Sequence, residues 1–114
     1  KVKKVLYPTM PEHPDTSLSK QLLKGNGCNM VSFEIGDNRI IANKFIENIE
    51  GIAFAPTLGD IGTTISHPKS SSHRYLDSTA CKELGISEGF FRVSVGIEDS
   101  DEVVGSFERA LDAI

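Results

Sequence analysis

Residues 90–95, Phe-Phe-Arg-Val-Ser-Val, alternate Phe91, Val93 and Val95 with Phe90, Arg92 and Ser94, and Gly96 closes the run. A period of two predicts a half-buried strand. Its apolar set must face a core, so Arg92 and Ser94 face the other way. An arginine in that place has two readings. It is either a solvated or paired cation on the wet face of an antiparallel sheet, or a planar fork of donors held on a rigid element, which suits a carboxylate. The strand alone leaves both open.

The other chemistry-bearing residues are scattered. His13, His67 and His73 have no metal-type spacing, and Cys28 and Cys81 lie too far apart in sequence to form a metal-type pair. They read as two free thiols, the usage expected in a reducing cytoplasm. Gly25-Asn26-Gly27-Cys28 is too short for a phosphate loop and falls where a helix would end, so it reads as a cap. A net charge of −4 with no basic stripe argues against nucleic acid as the main partner. Lys1, Lys3 and Lys4, the one basic cluster, precede an apolar strand and read as a solvated end. No apolar stretch approaches the ~20 residues of a membrane span, and no signal-peptide pattern opens the chain. The 114 residues suit a single domain, 1–114.

The elements that must position Arg92 follow from local pattern. Residues 2–7 read as a strand stopped by Pro8, and the proline-rich stretch 8–14 as extended chain. Asp15 caps a short helix with Leu18 and Leu22 on one face, and residues 29–35 alternate as a strand. Ile41, Phe45 and Ile49 mark the clearest helix, ended by Gly51. Two short strands with a glycine-bearing loop follow in 52–68, then a polar loop, a helix closed by Gly85, the strand 90–95, and a last helix. Asp99 and Glu102 form a capping-box variant for that helix, and Val103, Phe107, Leu111 and Ile114 its buried stripe. The order β-α-β-α-β-β-α-β-α predicts an α+β fold, a two-layer sandwich with helices on one face of the sheet.

Several strings in the chain form a known pattern. They are Thr57-Leu58-Gly59, His67-Pro68, Ser72-His73, Gly85-Ile86-Ser87 and Arg92-Val93-Ser94-Val95-Gly96-Ile97-Glu98-Asp99. With residues 4–14 and 45–60, they resemble the C-terminal domain of the pyridoxal-phosphate enzymes of cysteine and methionine metabolism. These are the cystathionine synthases and lyases, methionine γ-lyase and the O-acylhomoserine sulfhydrylases. The resemblance runs the length of the chain and covers roughly the last third of such an enzyme. It implies a small, mostly antiparallel sheet with helices on one face, as in aspartate-aminotransferase-like enzymes. The large pyridoxal-phosphate-binding domain, with the lysine that forms the Schiff base, then lies outside this chain. The chain alone is expected to be inactive, with no catalytic or cofactor-binding residue of its own.

By the same resemblance Arg92 binds the substrate's α-carboxylate, and Thr57, Leu58 and Ser72 face the substrate. Two parallel hydrogen bonds to the carboxylate would fix the rotation about Cα on which the electron-sink chemistry of the cofactor depends. Ser94, His67 and His73 match positions read as packing or structural. Pro56 stands where many cystathionine enzymes carry a glutamate, and Asp60 resembles the methionine lyases and sulfhydrylases. The lean is therefore to γ-elimination or γ-replacement on a methionine- or O-acylhomoserine-like amino acid. The implied partners are the large domain, the small amino-acid substrate and further copies in a homo-oligomer, with no nucleic acid and no membrane. The competing reading is a free-standing small-molecule-binding or oligomerisation module without catalysis.

Overall fold

The computed structural model describes residues 1–114. Five strands form one sheet: β1 (Lys4–Leu6), β2 (Met30–Glu34), β3 (Ala53–Phe54), β4 (Thr64–Ser66) and β5 (Phe90–Ser94), in the order β1-β2-β5-β4-β3. All neighbours are antiparallel except β3 and β4, which run parallel. The helices are α1 (Thr16–Leu22), α2 (Arg39–Asn48), α3 (Ser78–Glu83) and α4 (Ser100–Asp112). A single 3-10 turn occupies Pro68–Ser70. No helix is long and apolar enough to cross a membrane.

The core follows from strand alternation. Phe33 of β2 and Phe91 of β5 are cross-strand partners whose rings stack at 5.5 Å, and Phe45 of α2 lies 5.1 Å from Phe91. Ile65, Val93, Ala42, Ile49 and Ala110 complete the same buried cluster. Helices α2 and α4 pack on each other over this face. Asn38 caps α2 by accepting from the Ile40 and Ile41 N–H groups, and Asp99 caps α4 by accepting from Asp101 and Glu102. Helices α1 and α3 add nothing to this cluster: α1 buries only Ser19, and α3 only Cys81. Both cysteines are free thiols.

Two local expectations, the extended stretch 8–14 and the Asp15 cap, are corrected. Residues 8–14 are not extended but make three successive turns, closed by the Met10, His13 and Thr16 N–H groups on the Tyr7, Met10 and His13 carbonyls. Pro8, Pro11 and Pro14 each take the second turn position, where a φ preset near −65° is needed. Restricting the residue before each proline did not prevent the turns, because that residue is the first of each turn and need not be helical. Leu18 and Leu22 share a face of α1, but it is exposed. Asp15 sits at the N-cap of α1 without making a side-chain cap bond.

At the Phe90 end of β5, His67 is buried with its ring 5.2 Å from that of Phe91. Its Nε2 lies 2.8 Å from the Glu88 carbonyl, which can only accept, so Nε2 carries the proton. Its Nδ1 then accepts from Ser70 Oγ at 2.7 Å. Glu88 pairs with Arg39 at 2.5 Å and with Lys69 at 3.1 Å. Burial holds the imidazole below its usual pKa despite the Glu88 carbonyl. For Glu88, burial pushes upward, but Lys69 and Arg39 together leave its carboxyl below the ordinary range.

Two outcomes follow. Truncating Phe91→Ala is expected to cost about 3–5 kcal/mol in denaturant unfolding, the loss for a fully enclosed aromatic side chain. A cost under about 1 kcal/mol would mean the core is not built on it. The depressed His67 pKa makes the unfolded state bind more protons than the native state once pH falls below about 6.5. Stability present above that value is thus lost on acidification, and thermal midpoints should drop as pH falls through and below about 6.5. His67→Gln should flatten that slope; an unaltered slope would assign it to other groups.

Candidate functional site

Arg92 sits at the centre of β5, the middle strand of the sheet. Its cross-strand partners are Ser32 on β2 and Ser66 on β4, which share its face. Both are small, so the guanidinium is not walled in on either side. That face is the one opposite the Phe33, Phe91 and Ile65 cluster. The other arginines are in use: Arg39 pairs with Glu88, Arg74 lies 4.6 Å over the Tyr75 ring, and Arg109 donates to Ser106 Oγ at 3.1 Å. The chain's ion pairs are Lys1–Asp112, Arg39–Glu88 and Lys69–Glu88, and none involves Arg92. Glu34, the acidic residue on the same face of β2, forms no pair with it.

The stretch between β3 and β4 folds back across the exit of β5. The Thr57 carbonyl accepts from Thr64 Oγ1 at 3.4 Å, and the Gly59 N–H donates to Ser94 Oγ at 3.2 Å. Gly59 takes φ +75°, a left-handed conformation that other residues adopt only with strain. Further on, the Ile97 N–H donates to the Ile61 carbonyl at 3.0 Å, and the Gly96 N–H donates to Thr63 Oγ1 at 2.9 Å. Gly96 is required by closeness: a Cβ there would lie 2.4 Å from the Ile61 carbonyl oxygen. Glu98 accepts from the Thr63 N–H and, at 2.8 Å, from its hydroxyl. The Thr63 N–H, then Glu98's own N–H and the Thr63 hydroxyl, hold the Glu98 carboxyl below its usual range. The carboxylate therefore stays ionised through the ordinary carboxylate range, and the tether weakens only when stronger acid protonates it.

The predicted residues fall at two ends of β4. Thr57 and Leu58 are joined to the Thr64 and Ser94 end, while Ser72 follows the 3-10 turn beyond Ser66 and His67. Ser72 is exposed, with its hydroxyl 2.8 Å from His73 Nδ1. Arg92, opposite Ser66, stands between these two groups along the strand direction. Ser94 is 2% exposed and serves as an acceptor in packing, in line with its reading as structural. His67 is likewise built into the fold. Leu58 and Ile61 are 63% and 73% exposed, which makes the rim of this face apolar. Asn29, Thr63 and Glu98 carry no role in the sequence reading. Glu98 lies inside the quoted motif, but its bond to Thr63 spans 35 residues and no local pattern announces it.

A pyridoxal cofactor needs a partly dehydrated amine to react with its aldehyde. Lys69, the one part-buried lysine, is committed to Glu88. No group of three or more His, Cys, Asp or Glu side chains converges as metal ligands. What the residues of this face present is the Arg92 guanidinium, a planar fork of donors whose shape suits a carboxylate.

The chain is similar to known proteins in sequence and in fold. The chain is 36% identical to cystathionine gamma-lyase of Dictyostelium discoideum over 112 residues, covering 98% of this chain and 29% of the relative. It is 34% identical to O-succinylhomoserine sulfhydrylase of Pseudomonas aeruginosa, covering 99% and 28%. It is 32% identical to L-methionine gamma-lyase of Fusobacterium nucleatum, covering 100% and 29%. The chain thus spans under a third of the length of these curated relatives. Among solved structures, cystathionine gamma-lyase from Lactobacillus plantarum complexed with L-serine superposes with a TM-score of 0.85 at 35% identity, covering 99% of this chain and 29% of that one. A putative O-acetylhomoserine (thiol)-lyase from Campylobacter jejuni carrying N'-pyridoxyl-lysine-5'-monophosphate superposes at 0.89 and 28% identity, covering 97% and 26%. The family described as Cys/Met metabolism PLP-dependent enzyme matches residues 1–112. With its strands, its motif strings and its fold all in agreement, the chain belongs to that family.

Proposed function

We propose that this chain is the C-terminal, substrate-anchoring domain of a pyridoxal-phosphate-dependent enzyme acting on a sulfur amino acid or its O-acylhomoserine analogue. The reaction class is γ-elimination or γ-replacement, of the methionine γ-lyase, O-acylhomoserine sulfhydrylase or cystathionine synthase and lyase type. The observation that carries this reading is Arg92. It is held on the central strand between two serines, on the face opposite the aromatic core, with no ion pair inside its own domain.

The division of labour follows from the chemistry of the residues. Arg92 grips the α-carboxylate through two parallel hydrogen bonds, which a lysine point charge cannot reproduce. Because it rides on a paired strand, little freedom is lost when substrate binds. Thr57, with its hydroxyl and backbone, and Leu58 close the carboxylate end from the β3–β4 loop, and Ser72 borders the cleft from the other side. The reactive lysine and the phosphate-holding groups belong to the large domain, which covers the rim at Leu58 and Ile61. Burial beneath that domain would lower the local dielectric and strengthen the Arg92–carboxylate pair. Further copies of the chain complete a homo-oligomer in the cytoplasm, where Cys28 and Cys81 stay reduced.

In the complete enzyme, Arg92→Ala is expected to lower kcat/KM on the order of a hundredfold or more while the cofactor absorption band survives. Arg92→Lys should fall between the two, keeping charge without the fork. Unchanged kinetics in Arg92→Ala would take the residue out of the site. The 114-residue chain alone, titrated with pyridoxal phosphate, should give no saturable visible band. A rise in its melting temperature with a micromolar amino acid would instead favour a free-standing binding module.

A further inference from the structure

We propose that Ser94, braced by Asn29, is a positioning residue that sets the Thr57–Gly59 turn against Arg92 and thereby fixes how well the pair distinguishes a carboxylate from its neutral analogues. This rests on the reading of Arg92 given above.

Ser94 lies two residues beyond Arg92 on the same face of β5, about 7 Å along the strand. A hydroxyl offers two acceptor lone pairs. Both are taken here: the Gly59 N–H donates at 3.2 Å and the Asn29 side-chain amide donates at 3.2 Å. Asn29 is itself fixed, because its carbonyl accepts from the Val95 N–H at 2.8 Å, one residue past Ser94. Its amide is thus delivered to the hydroxyl by the β2–β5 ladder rather than by chance.

Packing does not hold the turn, since Thr57, Leu58 and Gly59 are all exposed. The Thr57 carbonyl has only the long 3.4 Å bond from Thr64, and the next anchor is the Ile61 carbonyl. Between them, Ser94 is the side chain of β5 that ties the turn down. Removing its hydroxyl leaves the Gly59 N–H and the Asn29 amide without their acceptor, and the turn is free to shift relative to Arg92. Displacements of about 1 Å in such a geometry reach hundredfold effects in the worst cases.

The test uses the complete enzyme and a competitive amino-acid inhibitor, compared with its α-carboxamide. In Ser94→Ala the preference for acid over amide should fall roughly tenfold. KM should rise by a similar factor, kcat should move by less than about threefold, and the cofactor band should be retained. Ser94→Thr, which keeps the hydroxyl, should restore the preference. Asn29→Ala, a change at an exposed residue, should lower it in the same direction by about threefold. If Arg92→Ala abolishes the preference and Ser94→Ala leaves it intact, the positioning role is overturned while the carboxylate site stands. If Arg92→Ala also leaves the preference intact, the reading of the site itself fails. Should Ser94→Ala lose the cofactor band through misfolding, Asn29→Ala decides, and an unchanged preference there overturns the proposal.

Discussion

The alternation of β5 is the constraint on which the rest depends. Phe91 and Val93 are enclosed by Phe33, Phe45 and Ile65, so the residues between and beyond them must emerge on the opposite face. A slip of one residue would carry Arg92 into an aromatic core that holds no carboxylate. An unpaired buried guanidinium costs far more than any contact there returns. The apolar side of the strand therefore sets the register, and the register presents the cation. The placement of this cation is a by-product of hydrophobic packing, enforced with the same strength.

The charges are divided in a complementary way. At the Phe90 end, Glu88 gathers Arg39 and Lys69, and neutral His67 ties the Glu88 backbone to Ser70. That network is part-buried and draws on Arg39, Lys69, Ser70 and the Glu88 side chain and carbonyl. At the Ser94 end, the polar groups are spent on the loop between β3 and β4 through Ser94, Thr63 and Glu98. Arg92 stands between the two and is claimed by neither. A domain that neutralised Arg92 with Glu34, across the β2–β5 ladder, would gain little at a partly exposed site and would lose its fork.

Much of this was legible from local pattern. The strands of residues 29–35 and 90–95, and the helices around Phe45 and Phe107, carry strict periodicity because each has one face in a single core. Asp99 acts as a cap where chain chemistry places it. Legibility failed where context outweighs propensity. Pro8, Pro11 and Pro14 lie three residues apart, a spacing that serves successive turns, yet each proline taken singly reads as extended chain. Leu18 and Leu22 have helical spacing but no surface in this chain to pack against. The parallel pairing of β3 with β4 is invisible in two strands so short.

The order of residues by itself determined which face of β5 bears Arg92, where the two long helices lie, and the family to which the chain belongs. Periodicity, capping chemistry and motif strings are all written over a few neighbouring positions. Only the tertiary structure decided that Arg92 has no acidic partner, that Ser94 receives Gly59 and Asn29, and that Glu98 closes on Thr63. Those contacts join residues 35 and 65 positions apart. They exist because the sheet order brings distant segments to the same strand exit, a closure that no local repeat encodes.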